Sequence, residues 1–291
     1  MCTLTLAWQV FEDAPVVVAA NRDEGLERPS DSPDLYATDP LVVAPRDAEA
    51  GGTWIGFNDH DLFVGITNRW TDADLAGERS RGRLVADALA RPSAFEARTF
   101  VAEAVDAMEF EGFSLVVADR DDAFVLEWDG RLRTTTLEPG VHVVVNVGFD
   151  ETFEIPHGRA DAATAQAENA RRVQRDLSAA AVDLVSGADE TPSTDGVRSL
   201  DADSTRTPAL EWLEQVRTVL GDHEYGVCVH GDGYRTRSSS LIVLGDRRGY
   251  AFADGPPCRT PYRDIEIDVG NRLERPLEPL ASNLTDREGH I

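Results

Sequence analysis

Short apolar runs separated by polar turns fill the first quarter of the chain. Those over 2–10, 16–20, 41–44, 53–57 and 62–68 predict strands. Glu12-Asp13-Ala14-Pro15, Gly51-Gly52 and Asn58-Asp59 supply the turn signals between them. The period then changes. Leu84, Val85, Ala88 and Leu89 recur at helical spacing after Ser80, and Pro92 ends that pattern. Ser93 predicts the N-cap of a second helix, AFEARTFVAEAVDAM. A second strand series follows over 113–118, 123–128, 132–136 and 141–147, with Asp129-Gly130 as a hairpin turn. An alanine-rich helix is expected over 160–185, and Pro208 suits the first turn of a helix through ALEWLEQVRTVL. Strands near 225–230, 239–244 and 249–253 complete the pattern.

Strands in blocks joined by hairpins, with helices in separate pairs, indicate antiparallel sheets covered by helices rather than alternating βαβ units. The fold class is α+β. Two sheets stacked face to face with helices outside, a four-layer αββα sandwich, would accommodate so many strands in one domain over 1–270. The segment SGADETPSTDGVRSLDADSTRTP at 186–208 is acidic and rich in small residues, which predicts a mobile loop; 271–291 reads as an irregular acidic tail.

Charge narrows the function classes. The 291 residues carry 53 acidic and 28 basic side chains, a formal net charge of -25, and every basic side chain is arginine. Phosphate contacts need a basic face, so nucleic acid is disfavoured as a partner. Acid residues spread along the whole chain predict adaptation to a salt-rich cytosol, where screening relieves self-repulsion. No apolar run is long enough to span a bilayer, and the first twenty residues carry Glu12 and Asp13 but no base. These features predict a cytoplasmic protein without stable membrane insertion. Three cysteines, Cys2, Cys228 and Cys258, form no C-x-x-C pair, which argues against a disulfide framework and against a zinc site. No metal or cofactor is expected.

One cysteine can still be a nucleophile. Removal of Met1 would leave Cys2 with a thiol and a free α-amine whose ordinary pKa, about 7.7–8.0, suits it to take the thiol proton. The competing reading is a small hydrophobe on the first strand. The cluster Asn21-Arg22-Asp23-Glu24 follows a strand that can return antiparallel to the first, which would bring it beside Cys2. A carboxylate there could orient the α-ammonium, and an arginine could favour the thiolate or hold a substrate carboxylate. Asn68 and Asn146 end or interrupt apolar strands, as turn formers or as neutral donors of the kind an oxyanion hole needs. Arg237 precedes an apolar strand.

MCTL at the start, ANRDE at 20–24, GGTWIGFN at 51–58, TNRW at 67–70, SRGRLV at 80–85 and YRTRSSSLIVL at 234–244 resemble the NRDE family, also called the transport and Golgi organization protein 2 family. Two departures stand out. Arg235 replaces an expected glycine, and DETFEIPHG at 150–158 replaces a Pro-Trp-Pro-Lys-like stretch. The resemblance implies an N-terminal-nucleophile hydrolase-like fold, similar to the penicillin V acylase and bile salt hydrolase group. It implies Cys2 as nucleophile, with Arg22, Asp23, Asn68, Asn146 and Arg237 as further catalytic positions. Asn21, Glu24, Trp54 and Arg69 are the implied substrate-binding positions. The expected function is hydrolysis or acyl transfer at an amide or thioester. The alternative is a non-catalytic carrier of haem, acyl-CoA or another lipid-like ligand, since the family is linked to lipid metabolism and haem trafficking. A metal hydrolase built from Asp59, His60, Asp61, His230 and Asp232 ranks last, because those spacings match no ligand pattern.

Overall fold

The computed structural model describes residues 2–189, 207–267 and 277–280. In chain order the first half comprises β1 (Thr3–Phe11), β2 (Ala14–Gly25), β3 (Ser30–Thr38), β4 (Leu41–Asp47), β5 (Ile55–Asn58), β6 (Phe63–Asn68), α1 (Arg81–Leu89) and α2 (Ala94–Ala107). The second half comprises β7 (Phe113–Ala118), β8 (Ala123–Trp128), β9 (Leu132–Thr136), β10 (Gly140–Val145), β11 (Gly148–Phe149), β12 (Thr152–Phe153), α3 (Ala160–Asp189), α4 (Pro208–Gly221), β13 (Tyr234–Leu244), β14 (Gly249–Ala253) and β15 (Arg263–Asp264). They form two sheets. The first runs β12-β11-β10-β1-β2-β13-β14-β15 and the second β3-β4-β5-β6-β7-β8-β9, with every pairing antiparallel.

Side-chain alternation explains the layering. Leu4, Leu6 and Trp8 of β1, Val16 and Val18 of β2, and Ile242 and Leu244 of β13 meet Phe57, Phe63 and Val116 of the opposing sheet. Their neighbours Ala7, Val17, Ala19, Leu241 and Val243 point the other way, onto α3 and α4. The second sheet repeats the arrangement, with Val64, Leu115 and Val117 packed on Leu84, Leu89 and Val101 of α1 and α2. The central strands are therefore buried on both faces. That accounts for continuous apolar runs where a sheet with one wet face would alternate. Trp212 anchors the outer helical layer: it is fully buried and its Nε1 donates to the Leu177 carbonyl of α3 at 3.0 Å. The fold is the four-layer αββα sandwich expected from the sequence.

Three local expectations need correction. β2 does not stop near residue 20 but continues through the polar cluster to Gly25, since Asn21 to Gly25 pair with β13. β3 was not expected; its sequence SDSPDLYAT is a polar edge strand interrupted by register shifts, so no period survives to be read. The strand expected near 225–230 is instead a 3-10 turn, His223–Tyr225, and an irregular segment ending in an isolated bridge between His230 and Arg235. The helix expected over 160–185 extends to Asp189. Most of the acidic loop expected over 186–208, and most of the 271–291 tail, lie outside the described residues. Among the described residues no helix is long and apolar enough to cross a membrane.

Candidate active site

The register of β1 fixes the site. Thr3 pairs with Asn21 of β2 on one side and Val145 of β10 on the other. One step earlier, Cys2 falls between the polar cluster and Asn146. Its backbone nitrogen donates to Asn146 Oδ1 at 3.1 Å. Its sulfur sits 3.5 Å from the Asp23 amide nitrogen and 3.6 Å from the Asp23 carbonyl oxygen. Cys2 shares the parity of Leu4 and Leu6, so its side chain takes the face toward the second sheet.

The same alternation divides the four consecutive polar residues between two faces. Asn21 turns toward the helical layer, where its Nδ2 donates to the carbonyls of Leu220 and Val227 at 3.0 and 2.9 Å. It bolts β2 to the end of α4. Asp23 is buried, and its Oδ1 accepts from Thr236 Oγ1 at 2.5 Å, while its carbonyl accepts from Tyr234 Oη at 2.9 Å. Arg22 and Glu24 face a cavity of about 410 Å³, which Cys2, Trp54 and Asn68 also line. The Arg22 guanidinium lies 4.2 Å over the Trp54 ring, and its Nη2 donates to Glu24 at 3.4 Å. Arg22 is 8% exposed and its Nη1 has no hydrogen-bond partner.

The glycine pair Gly51-Gly52 closes one wall. A Cβ on Gly52 would come within 2.3 Å of the Gly82 carbonyl carbon, so only glycine lets this turn approach the start of α1. Thr53 N then donates to the Gly82 carbonyl at 3.0 Å. That contact brings Arg79, Ser80 and Arg81 to the cavity rim, together with Arg28 and Asp47. Arg28 Nε pairs with Asp47 at 2.7 Å, and Arg81 Nη2 with Glu111 at 2.8 Å. Sequence reasoning read SRGRLV only as a helix start and a motif; it did not place these charges at the cavity.

Burial dominates the electrostatics. It pushes the Cys2 thiol above its ordinary pKa, and the neighbouring Asp23 charge adds to that, while the Asp23 amide and Arg22 pull it down. Burial also raises the Asp23 carboxyl, opposed by the Thr236 hydrogen bond and Arg22. The Arg22 guanidinium is lowered by burial, with Glu24 opposing. In this state the thiol is protonated near neutral pH.

The two asparagines sit differently. Asn146 Oδ1 also accepts from Gln166 Nε2 of α3 at 2.9 Å, and its Nδ2 donates to the Asn68 carbonyl at 2.6 Å. Its amide is committed to holding Cys2 and the end of β6. Asn68 has its residue at the cavity wall. Arg237 sits at the β13 bulge, where Nη1 donates to the Gly25 and Leu26 carbonyls at 2.9 and 2.7 Å; it ties down the exit of β2 and does not line the cavity. Arg69 is also outside the cavity, in a buried ion-pair cluster with Glu127, Asp129 and Glu154. Gln166, which holds Asn146, carried no sequence signal, and Thr236, which holds Asp23, stood in the YRTRSSSLIVL stretch without being singled out. Asp59, His60, Asp61, His230 and Asp232 are not brought together: Asp61 pairs with Arg248, while His230 faces His223 and two cysteines.

The chain resembles known proteins over most of its length. The chain is 26% identical over 240 residues to the transport and Golgi organization protein 2 homolog of Bos taurus, covering 79% of this chain and 82% of that protein. It is 23% identical over 274 residues to the Homo sapiens homolog, covering 90% and 91%. Among solved structures, penicillin V acylase from Agrobacterium tumefaciens superposes with a TM-score of 0.51 at 13% sequence identity, covering 91% of this chain and 86% of that one. That likeness shows the N-terminal-nucleophile hydrolase-like fold. The pattern of the family described as Transport and Golgi organisation 2 matches residues 1–254, and the chain belongs to that family.

Proposed function

We propose that the protein is an N-terminal-cysteine hydrolase that cleaves an amide or thioester of an acyl substrate once Met1 has been removed. The observation that carries this reading is the hold on Cys2. Its nitrogen is hydrogen-bonded to Asn146 at 3.1 Å and its side chain lines a cavity of about 410 Å³. Removal of Met1 would convert that nitrogen into a primary amine without moving it, next to the thiol of the same residue. The buried Asp23 carboxylate and the Asn146 carbonyl oxygen would orient the resulting ammonium.

In the reaction, the α-amine takes the thiol proton and the thiolate sulfur attacks the substrate carbonyl carbon. The carbonyl π-electrons move to oxygen, where the Asn68 side-chain amide is the neutral donor at the cavity wall. Collapse of the tetrahedral intermediate breaks the C–N or C–S bond, and the α-ammonium returns its proton to the leaving group. Water, or an acceptor amine, then resolves the thioester on Cys2 by the same steps in reverse. Arg22, with an uncommitted Nη1 and an aromatic face beneath it, fits a carboxylate or carbonyl oxygen on the substrate.

The test uses protein with Met1 removed, incubated with a panel of N-acyl amides and acyl thioesters at low and at molar salt. Mass spectrometry should find an acyl adduct on Cys2 in wild type and none in Cys2→Ala. Turnover by Cys2→Ala sinks the proposal; a ligand bound equally by both proteins, with no product formed, supports a carrier instead.

A further inference from the structure

Four side chains with soft donor atoms converge at the corner where α4 ends and β13 begins. His223 lies on the 3-10 turn, Cys228 and His230 on the segment leading into β13, and Cys258 on the turn after β14. Nε2 of His230 is 3.2 Å from Nε2 of His223, 3.2 Å from Cys258 Sγ and 3.6 Å from Cys228 Sγ. All four donor atoms lie within 4.8 Å of one another, the only such group among the described residues.

Hydrogen bonding does not account for this arrangement. A neutral imidazole nitrogen offers either one N–H or one lone pair, so His230 Nε2 can satisfy one of its three close neighbours. A tetrahedral zinc ion can satisfy all of them. With Zn–S of about 2.3 Å and Zn–N of about 2.0–2.1 Å, its ligand–ligand edges are about 3.3–3.8 Å. Of the three contacts around His230 Nε2, that at 3.6 Å falls within those edges and the two at 3.2 Å fall just short of them, so small side-chain adjustments would close the set on one ion. We infer that His223, Cys228, His230 and Cys258 form a zinc site that staples the end of α4, the entry to β13 and the turn after β14.

The chemistry fits zinc in particular. Two thiolates and two imidazoles make a tetrahedral sulfur–nitrogen set, which selects zinc over hard cations such as magnesium or calcium. Two thiolates also balance the dication. The ligand-bearing backbone is held in place: Gly226 N donates to the His223 carbonyl at 3.0 Å, and Gly226 takes the left-handed φ of +67° that ends the turn. Val229, between Cys228 and His230, exchanges hydrogen bonds with Thr236, whose hydroxyl reaches Asp23. With all four positions supplied by protein the site is structural, not catalytic. It lies at the outer end of the contacts that position Asp23.

The test is metal analysis of the full-length protein purified without chelator, followed by Co2+ titration of protein stripped of metal. The expected results are one zinc per chain, and tetrahedral visible bands with thiolate-to-cobalt charge transfer. His223→Gln and Cys258→Ser, both at exposed positions, should each weaken zinc binding by at least about 100-fold without unfolding the protein, since even outer-shell partners cost 10- to 100-fold. Absent cobalt bands, copper in place of zinc, a Cys228–Cys258 disulfide in anaerobically purified protein, or unchanged affinity in both variants would each overturn the inference.

Discussion

The molecule holds its cysteines in two opposite ways. Cys2 is a lone thiol at the end of the central strand, gripped by backbone atoms of Asp23 and by Asn146, with burial raising its pKa. Cys228 and Cys258 share a corner with two histidines, within reach of a common metal. A solitary buried thiol is quiet until a base is placed beside it; a paired set with imidazoles is held by whatever cation it captures. The first arrangement suits reaction, the second suits anchoring. Thr236 joins them, hydrogen-bonded to Asp23 on one side and to Val229 on the other.

The sharpest way to break this division is to exchange the roles. Cys2→Ala should lower turnover by about 10⁴-fold or more with no loss of zinc, whereas Cys258→Ser should release zinc and leave Cys2 acylation detectable. Steady-state kinetics and metal analysis on the same preparations decide it. Asn146→Ala comes next. It frees the Cys2 nitrogen and the end of β6, and should cost about 10²-fold in turnover through misplacement of the amine, with smaller effects on binding. Asn146→Asp, which preserves the acceptor, should recover part of the loss.

Removing zinc should have a stability effect more than a chemical one. Where free zinc stands at about 1,000 times Kd, chelation should lower the unfolding free energy by about 4 kcal/mol, read by denaturant titration. His142 supplies the smallest test, away from both regions. Burial lowers its pKa, yet the hydrogen bond and charge of Asp150, with Nδ1–Oδ2 at 2.8 Å, raise it overall. A raised folded-state pKa means the pair stabilises fully below the ordinary imidazole value of about 6.5 and loses that contribution as pH climbs through the folded value. His142→Gln should therefore cost about 1 kcal/mol at low pH and progressively less above neutrality.

Legibility in the sequence followed the range of the forces involved. The strand blocks and helices were readable because apolar runs and helical spacing are local, and the pairing of β1 with β2 follows from a short turn. Stacking them into four layers was an inference from the number of strands and from the family resemblance. The placement of Cys2 beside Asp23 needs only that hairpin. Asn146 was readable as a polar residue ending an apolar run, but its partners were not, because Gln166 arrives from α3 and Asn68 from the other sheet. β3 hid because an exposed edge strand needs no apolar face. The zinc corner hid most completely. His223, Cys228, His230 and Cys258 share no metal-binding spacing, and Cys258 joins only through the path of β13 and β14. Spacing argued against zinc because it sees ligands from one loop, whereas this set is assembled by three segments.

The most direct test of Cys2 as an N-terminal nucleophile is a pH series of cysteine alkylation, read by peptide mass spectrometry. Protein retaining Met1, protein lacking it and a denatured reference of each are compared side by side. The account predicts that Cys2 in the Met1-retaining fold reacts only at higher pH than in its denatured reference, because burial and Asp23 hold its proton. Once Met1 is gone, folded Cys2 should react at lower pH than Cys2 of the denatured chain that also lacks Met1, as the folded site orients the α-amine to take the thiol proton. Cys2 reactivity unchanged by removal of Met1, or equal to that of the denatured chain in both forms, would contradict it.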